Sequence, residues 1–222
     1  MTVVITIDGP SGAGKGTLCQ LLAKKLGYHL LDSGALYRLT ALAAEKQHVG
    51  FDDNERLAQV AANLDVVFEP REGGVRVVLA GEDVSSAIRQ EHVGMNASKV
   101  AACQAVRDAL LQRQRNFATA PGLVADGRDM GTTVFPSAAV KVFLTASSAE
   151  RASRRVAQLE LAGRESDYDQ ILADIELRDK QDRERASSPL KPADDAVLLD
   201  STNMTIDEVL AAVVKLVEQL PK

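Results

Sequence analysis

The chain opens on an apolar, β-branched run, "VVITID" at 3–8, in which no regular polar position marks a solvent face. Such a run predicts a strand buried on both sides, as in a parallel sheet covered by helices. It passes into "GPSGAGKGT" and then into a helical pattern that continues to about Lys25. A second short run, "HLLD" at 29–32, leads into a helix starting near Ser33. Strand, loop, helix and strand in that order predict an α/β protein. The period then changes. Over 64–84, Leu64, Val66 and Phe68 alternate on one arm, Val75, Val77 and Leu79 on the other, and Gly73-Gly74 makes the turn. That is an antiparallel hairpin, and inside an α/β chain it predicts an inserted lobe. A helix over about 97–117 follows, then strands at 122–126, 140–144 and 196–200. Between the last two strands lie two polar helices. One opens at "SSAERASRR", where Ser147 and Glu150 have capping-box spacing, and the other covers about 168–186. The last helix opens at Thr205 with Glu208 three residues on, and its pattern buries Ile206, Val209, Leu210, Val213 and Leu216.

Composition narrows the classes without changing the fold. A chain of 222 residues, 45% hydrophobic and 26% charged, is long enough for one well-filled core, or for one core carrying a smaller inserted lobe. The formal charge of −5 argues against broad electrostatic binding to nucleic acid or an anionic membrane, and 4% aromatic content leaves few platforms for stacking bases. The two cysteines, Cys19 and Cys103, fall in helical patterns and read as free thiols in a reducing compartment. The opening run lacks a basic flank and is expected to be a strand rather than a signal peptide; no segment approaches the ~20 apolar residues that span a bilayer. A cytoplasmic location is the expectation.

The chemistry starts at Gly9, Pro10, Ser11, Gly12, Ala13, Gly14, Lys15, Gly16 and Thr17, a glycine-rich loop between a buried strand and a helix. In that context backbone N–H groups turn inward, the helix N-terminus adds partial positive charge, and Lys15 bridges the β- and γ-phosphates of a nucleotide. The strict pattern has Ser or Thr directly after the lysine. Here Gly16 intervenes, so Thr17 is placed either on Mg²⁺ or on phosphate. A guanine-reading Asn-Lys-x-Asp is missing, which argues against a GTPase, and 222 residues leave little room for the coupling domains of a motor or transporter. A small-molecule kinase remains. Kinases neutralise the moving phosphoryl group with cations, and this chain concentrates arginine. Arg151, Arg154 and Arg155 share one side of a helix, as do Arg178, Asp182 and Arg185. These are phosphate contacts or solvated salt-bridge faces; arginine forks beside a phosphate loop favour the first. His29, His48 and His92 are scattered, and none stands as a base. None is needed, because a phosphate monoester, with a second pKa of ~6, brings its own anionic oxygen. The stretch "ADGRDMG" at 125–131 ends a strand on two carboxylates flanking an arginine. Asp126, Arg128 and Asp129 hold a metal, clasp a ligand or make a polar turn.

The "GKGT" form of the loop resembles the nucleoside-monophosphate kinases. Together with "LLDSGALYR", "GEDVSSAIR", "NASKVAACQAVR", "ADGRDMGTTVFP", "KVFLTASSAERASRR" and "LRDKQDRERASSPLKPADDAVLLDST", the chain from 8 to 202 resembles the bacterial cytidylate (CMP) kinases in one collinear order. The resemblance implies a P-loop kinase fold with core segments 1–35, 98–150 and 168–222, a monophosphate-binding lobe at 36–97 and a short helical lid at 151–167. It implies transfer of the ATP γ-phosphoryl group to CMP and dCMP, with Mg²⁺. Ser98, Arg107 and Asp129 match the base readers; Asp129 accepts from the cytosine amino group. Arg38, Arg128 and Arg185 match phosphate-binding arginines, Asp182 steered by Arg178 a ribose contact, and Arg154 and Arg155 lid cations. Asp126 matches an acid that orients water around Mg²⁺. Ser33 is a helix N-cap, a monophosphate contact, or both. Partners are then the two nucleotides, with no nucleic acid and no membrane, and a monomer. A UMP kinase is the nearest alternative. A nucleotide-sensing module, or an ATPase acting on nucleic acid, would be a different class of protein.

Overall fold

A computed structural model describes residues 2–71 and 74–220. The chain divides into two compact units, one of Met1–Asp32 with Arg115–Lys222 and one of Ser33–Gln114.

The first unit is built on a five-stranded parallel sheet. Its strands are β1 (Val3–Asp8), β2 (His29–Asp32), β6 (Gly122–Gly127), β7 (Val140–Thr145) and β8 (Val197–Asp200), in the order β2-β6-β1-β7-β8. The strand at the centre is the opening apolar run, as its pattern requires: Ile5, Thr6 and Ile7 are fully buried. Ile5 and Ile7 join Val124, Val140, Val142 and Leu144 in a core closed by Leu18, Cys19 and Leu22 of α1 (Lys15–Leu26) and by Val209 and Val213 of α8 (Ile206–Glu218). The last helix begins as its sequence predicts, with a complete capping box between Thr205 and Glu208. Its apolar face is narrower than predicted, because Ile206 in the first turn stays 36% exposed. The polar helices are α6 (Ser148–Leu161) and α7 (Tyr168–Glu184). Ser147 caps α6, but Glu150 turns to Arg154 instead of completing the box.

The second unit carries α2 (Ser33–Lys46), α3 (Asn54–Ala62), α4 (Glu91–Ala102) and α5 (Gln104–Arg115), the last ending one residue past its edge. It also holds an antiparallel sheet of β3 (Val66–Arg71), β4 (Gly74–Leu79) and β5 (Glu82–Asp83). Val77 and Leu79 are buried, whereas Val75 at the outer end of its arm is exposed. Of the expected turn pair, Gly73 lies outside the described residues and Gly74 opens β4. The helix expected over 97–117 is two helices. Cys103 between them is extended, with φ −78° and ψ 116°, so it is not a helical residue. The break is closed from the far side: the Arg107 guanidinium donates to the Ala101 carbonyl at 3.1 Å, satisfying one of the acceptors that a helix end leaves open.

Candidate active site

The phosphate loop begins where β1 leaves the sheet. A Cβ on Gly9 would lie 1.9 Å from the Leu144 carbonyl oxygen of β7, so only glycine lets the backbone pass. Gly14, at φ 90°, is the left-handed residue from which α1 starts. Lys15, the first residue of that helix, is 6% exposed. Its ammonium donates to the Pro10 carbonyl at 2.9 Å and lies 3.8 Å from the Asp126 carboxylate. Burial and then the Arg128 charge pull Lys15 down to about 8, with Asp126 opposing them. Burial also pushes Asp126 up to about 6, against the attraction of Lys15. Charge on both groups is held at a cost in this dry strand end, which is the setting in which added anionic oxygens interact strongly. Gly16 and Thr17 are exposed on the first turn of α1. A Cβ at Gly16 would lie 3.8 Å from Asp126, so the position after the lysine faces that carboxylate.

The first two charges of the "ADGRDMG" stretch go to different partners. Asp126 sits beside Lys15. Arg128 donates from Nε to the Asp182 carboxylate of α7 at 2.9 Å. Asp129 is 2% exposed and precedes a π-helical turn over Met130–Val134. The amides of Met130 and Gly131 each donate to one oxygen of Asp8, both at 2.8 Å. Burial pushes the Asp8 carboxyl up to about 6, against these two hydrogen bonds. At Asp182 burial pushes the same way, but Arg128, Arg178 and Arg185 together outweigh it and hold the carboxyl below the ordinary value. For Arg128 burial works against the charge, and Asp182 outweighs it.

Helix α7 brings its predicted face to this region. Arg178 donates to the Ser11 hydroxyl of the phosphate loop at 3.3 Å, and Arg185, the C-cap, lies 4.0 Å from Asp182 while donating to the Ser188 carbonyl. The α6 arginines separate. Arg151 is buried and wholly engaged, donating to Ala146, to the Ser11 carbonyl at 2.9 Å and to both oxygens of Asp179. It braces the phosphate loop against two helices and is no solvated salt-bridge residue. Arg154 donates to Glu150 and to the Ser201 carbonyl, and Arg155 lies half-buried on the same helix.

In the second unit Ser33 is the first helical residue of α2, not its N-cap. Its hydroxyl donates to the buried Gln114 side chain at 2.7 Å. Arg38 donates to the Ile88 carbonyl at 2.8 Å. Ser98 is buried on α4, and the Arg107 guanidinium sits 5.5 Å from the centre of the Tyr37 ring. Sequence reasoning passed over Asp8, Gln114 and Asp179, the buried partner that draws Arg151 inward. Asp8 had one visible signal, a carboxylate closing a fully buried strand; the others lie on ordinary polar helix faces. Among the described residues no three His, Cys, Asp or Glu side chains gather to hold a metal, and no helix is long and apolar enough to cross a membrane.

The family model described as cytidylate kinase matches residues 5–219. The chain is 65% identical over 210 residues to the cytidylate kinase of Saccharophagus degradans, covering 94% of each chain. It is 60% identical over 215 residues to that of Aliivibrio salmonicida, covering 97% of this chain and 96% of the relative. Among solved structures, an uncharacterized protein from Eubacterium ventriosum shares the fold, with a TM-score of 0.53 at 10% identity over 99% of this chain and 100% of that one.

Proposed function

The chain belongs to the cytidylate kinase family, and on that premise we propose that it transfers the ATP γ-phosphoryl group to CMP and dCMP by direct in-line displacement. The observation that carries the reading is the meeting of Lys15, Asp126 and Arg128, with its partner Asp182, behind a glycine-rich loop at the carboxyl ends of parallel strands. Phosphoryl transfer needs positioning and neutralisation more than covalent chemistry. The loop from Gly9 to Thr17 cradles the ATP phosphates, and Lys15 bridges them. Arg128 and Arg185 take the charge of the transferring group, and Arg154 and Arg155 join them from a lid at 151–167 that excludes water. Arg154's hydrogen bonds to Glu150 and Ser201 are then exchanged for phosphate contacts.

For the acceptor, Ser33 and Arg38 bind the monophosphate, and Asp182 with Arg178 holds the ribose. Ser98 and Arg107 read the base together with Asp129, which accepts from the cytosine amino group. Uracil presents an oxygen at that position, so a buried carboxylate there repels UMP. The acceptor arrives with an anionic oxygen, and no side chain removes a proton. The lobe at 36–97 belongs to the unit that carries Ser98 and Arg107. A hard, buried carboxylate beside the phosphate lysine suits Mg²⁺: Asp126 would hold it through water, and the ion would supply further neutralisation of the ATP phosphates. We also infer a cytoplasmic monomer in pyrimidine nucleotide metabolism.

The test is ADP release from Mg·ATP against CMP, dCMP, UMP, AMP and GMP in parallel. Strong turnover with CMP and dCMP, weak with UMP and none with purines is expected. Equal rates across the panel would overturn the base-reading assignment, and nucleotide binding without turnover would mark a sensing module.

A further inference from the structure

Asp8 touches neither nucleotide in the scheme above, yet its placement bears on which base is accepted. It is 5% exposed at the end of β1, and its two oxygens serve two consecutive amides. The Met130 N–H donates to Oδ1 and the Gly131 N–H to Oδ2, each at 2.8 Å. These are the peptide groups immediately after Asp129. A carboxylate that bridges successive N–H groups fixes the orientation of both peptide planes, and the first of those planes sets ψ of Asp129. That residue stands at φ −146° and ψ 25°, a conformation that neither helix nor strand would hold in place.

The turn that follows is adapted to the clamp. Val134 donates back to the Asp129 carbonyl at 3.2 Å and Phe135 to that of Met130 at 2.7 Å, which leaves the Met130 and Gly131 amides facing β1. A Cβ on Gly131 would stand 3.0 Å from the Thr6 hydroxyl, 3.2 Å from Lys141 and 3.4 Å from the Asp8 carboxylate, so a side chain there would press the turn away from its acceptor. Asp8 is not a principal partner of the phosphate lysine, whose ammonium is held by Pro10 and Asp126.

We propose that Asp8 is a positioning residue for base selectivity: by clamping the Met130 and Gly131 amides it aims the Asp129 carboxylate at the cytosine amino group. The proposal rests on the reading of Asp129 as base acceptor. Replacing Asp8 by asparagine keeps the shape but leaves one acceptor for two donors, turning an NH₂ toward the second amide. The loop then settles differently, and the contact most sensitive to its orientation is the one made by its buried carboxylate.

The experiment is steady-state kinetics of the full chain as wild type, Asp8→Asn, Asp129→Asn and the double variant, with CMP and UMP at saturating ATP and with ATP at saturating CMP. Asp8→Asn should lower the CMP-to-UMP ratio of kcat/KM by roughly tenfold or more, through the CMP KM, with the ATP KM within about twofold of wild type. The double variant should discriminate no worse than Asp129→Asn alone, because the two act through one contact. Equal losses on CMP and UMP, or a parallel rise in the ATP KM, would make Asp8 merely structural and overturn the proposal. If Asp129→Asn leaves the ratio intact, the base-reading assignment itself fails. If Asp129→Asn collapses the ratio and Asp8→Asn does not, only the clamp fails. Should Asp8→Asn not fold, Gly131→Ala loads the same clamp from the other side and should lower the same ratio; a folded Gly131→Ala with wild-type selectivity would overturn the proposal.

Discussion

Aspartates close or nearly close four of the parallel strands, and each does a different job. Asp8 clamps two amides, Asp126 faces the phosphate lysine, Asp200 caps the turn at Thr202, and Asp32 lies opposite Asp126 in the β2–β6 register. Residue type and place in the strand are the same; what differs is the neighbour, and a single sequence does not display it. Two of these groups make a pH signature. Burial raises Asp8 and Asp126 from an ordinary 3.8 to about 6, so the folded state keeps protons that the unfolded state has lost. Stability from this source is complete below about pH 4 and is lost as pH rises to 6 and beyond. Asp182, held below the ordinary range, acts in the opposite sense. The stability it contributes is present above the ordinary value of 3.8 and is lost as pH falls below it, so most of its change lies at the acid edge of that window and beyond. Lys15, lowered to about 8, also acts in that sense, and its penalty lifts as pH rises from 8 toward 10.5. The melting temperature of the ligand-free protein should therefore carry a downward component from pH 4 to 6.5, and Asp126→Asn should flatten it. An identical pH slope in wild type and variant, measured by calorimetry, would refute the assignment.

Elements obeyed their local signals where the signal was local. The capping box of α8, the glycine that starts α1 and the alternation of β3 and β4 are all interactions among residues a few positions apart. The break at Cys103 has no such signal. "KVAACQAVRD" holds neither glycine nor proline and continues the helical period, and the break is sustained by Arg107 reaching back to Ala101. Arg151 teaches the same lesson on α6. Its spacing with Arg154 and Arg155 predicts a shared face, but Asp179 of α7 and the Ser11 carbonyl draw it inward. Arg151→Met would leave Asp179 buried with only the distal, exposed Arg183 at 3.7 Å, and should cost about 3–5 kcal/mol in urea unfolding. Arg151→Met with Asp179→Leu should recover most of that stability, because no lone charge remains. The ATP KM should stay raised in the double variant, since the Ser11 carbonyl has lost its donor. A double variant as unstable as the single one would show that the loop, not the ion pair, is what Arg151 supports.

For the whole molecule, the proposed roles predict separable responses to the two nucleotides. A ligand at 100 times its dissociation constant adds about 2.7 kcal/mol to stability, which for a chain of this size raises the melting temperature by roughly 5–10 °C. Arg107→Met should remove the CMP shift and keep the ATP shift, while Lys15→Ala should do the reverse; scanning fluorimetry reads both, and loss of both shifts in either variant would contradict the division of labour. How much of this was legible beforehand follows the range of the forces involved. The amino-acid sequence by itself determined the five parallel strands, the hairpin and the phosphate loop, because hydrophobic period, capping spacing and glycine placement act over a turn or a strand. It also determined the set of candidate residues, through chain-long resemblance to a family. Only the tertiary structure decided which charges serve ligands and which serve the fold. Asp8 meets Met130 across 122 positions and Arg151 meets Ser11 across 140. Whether a buried carboxylate or guanidinium finds a partner, and so what remains of it for chemistry, is settled by burial and by neighbours that only folding brings near.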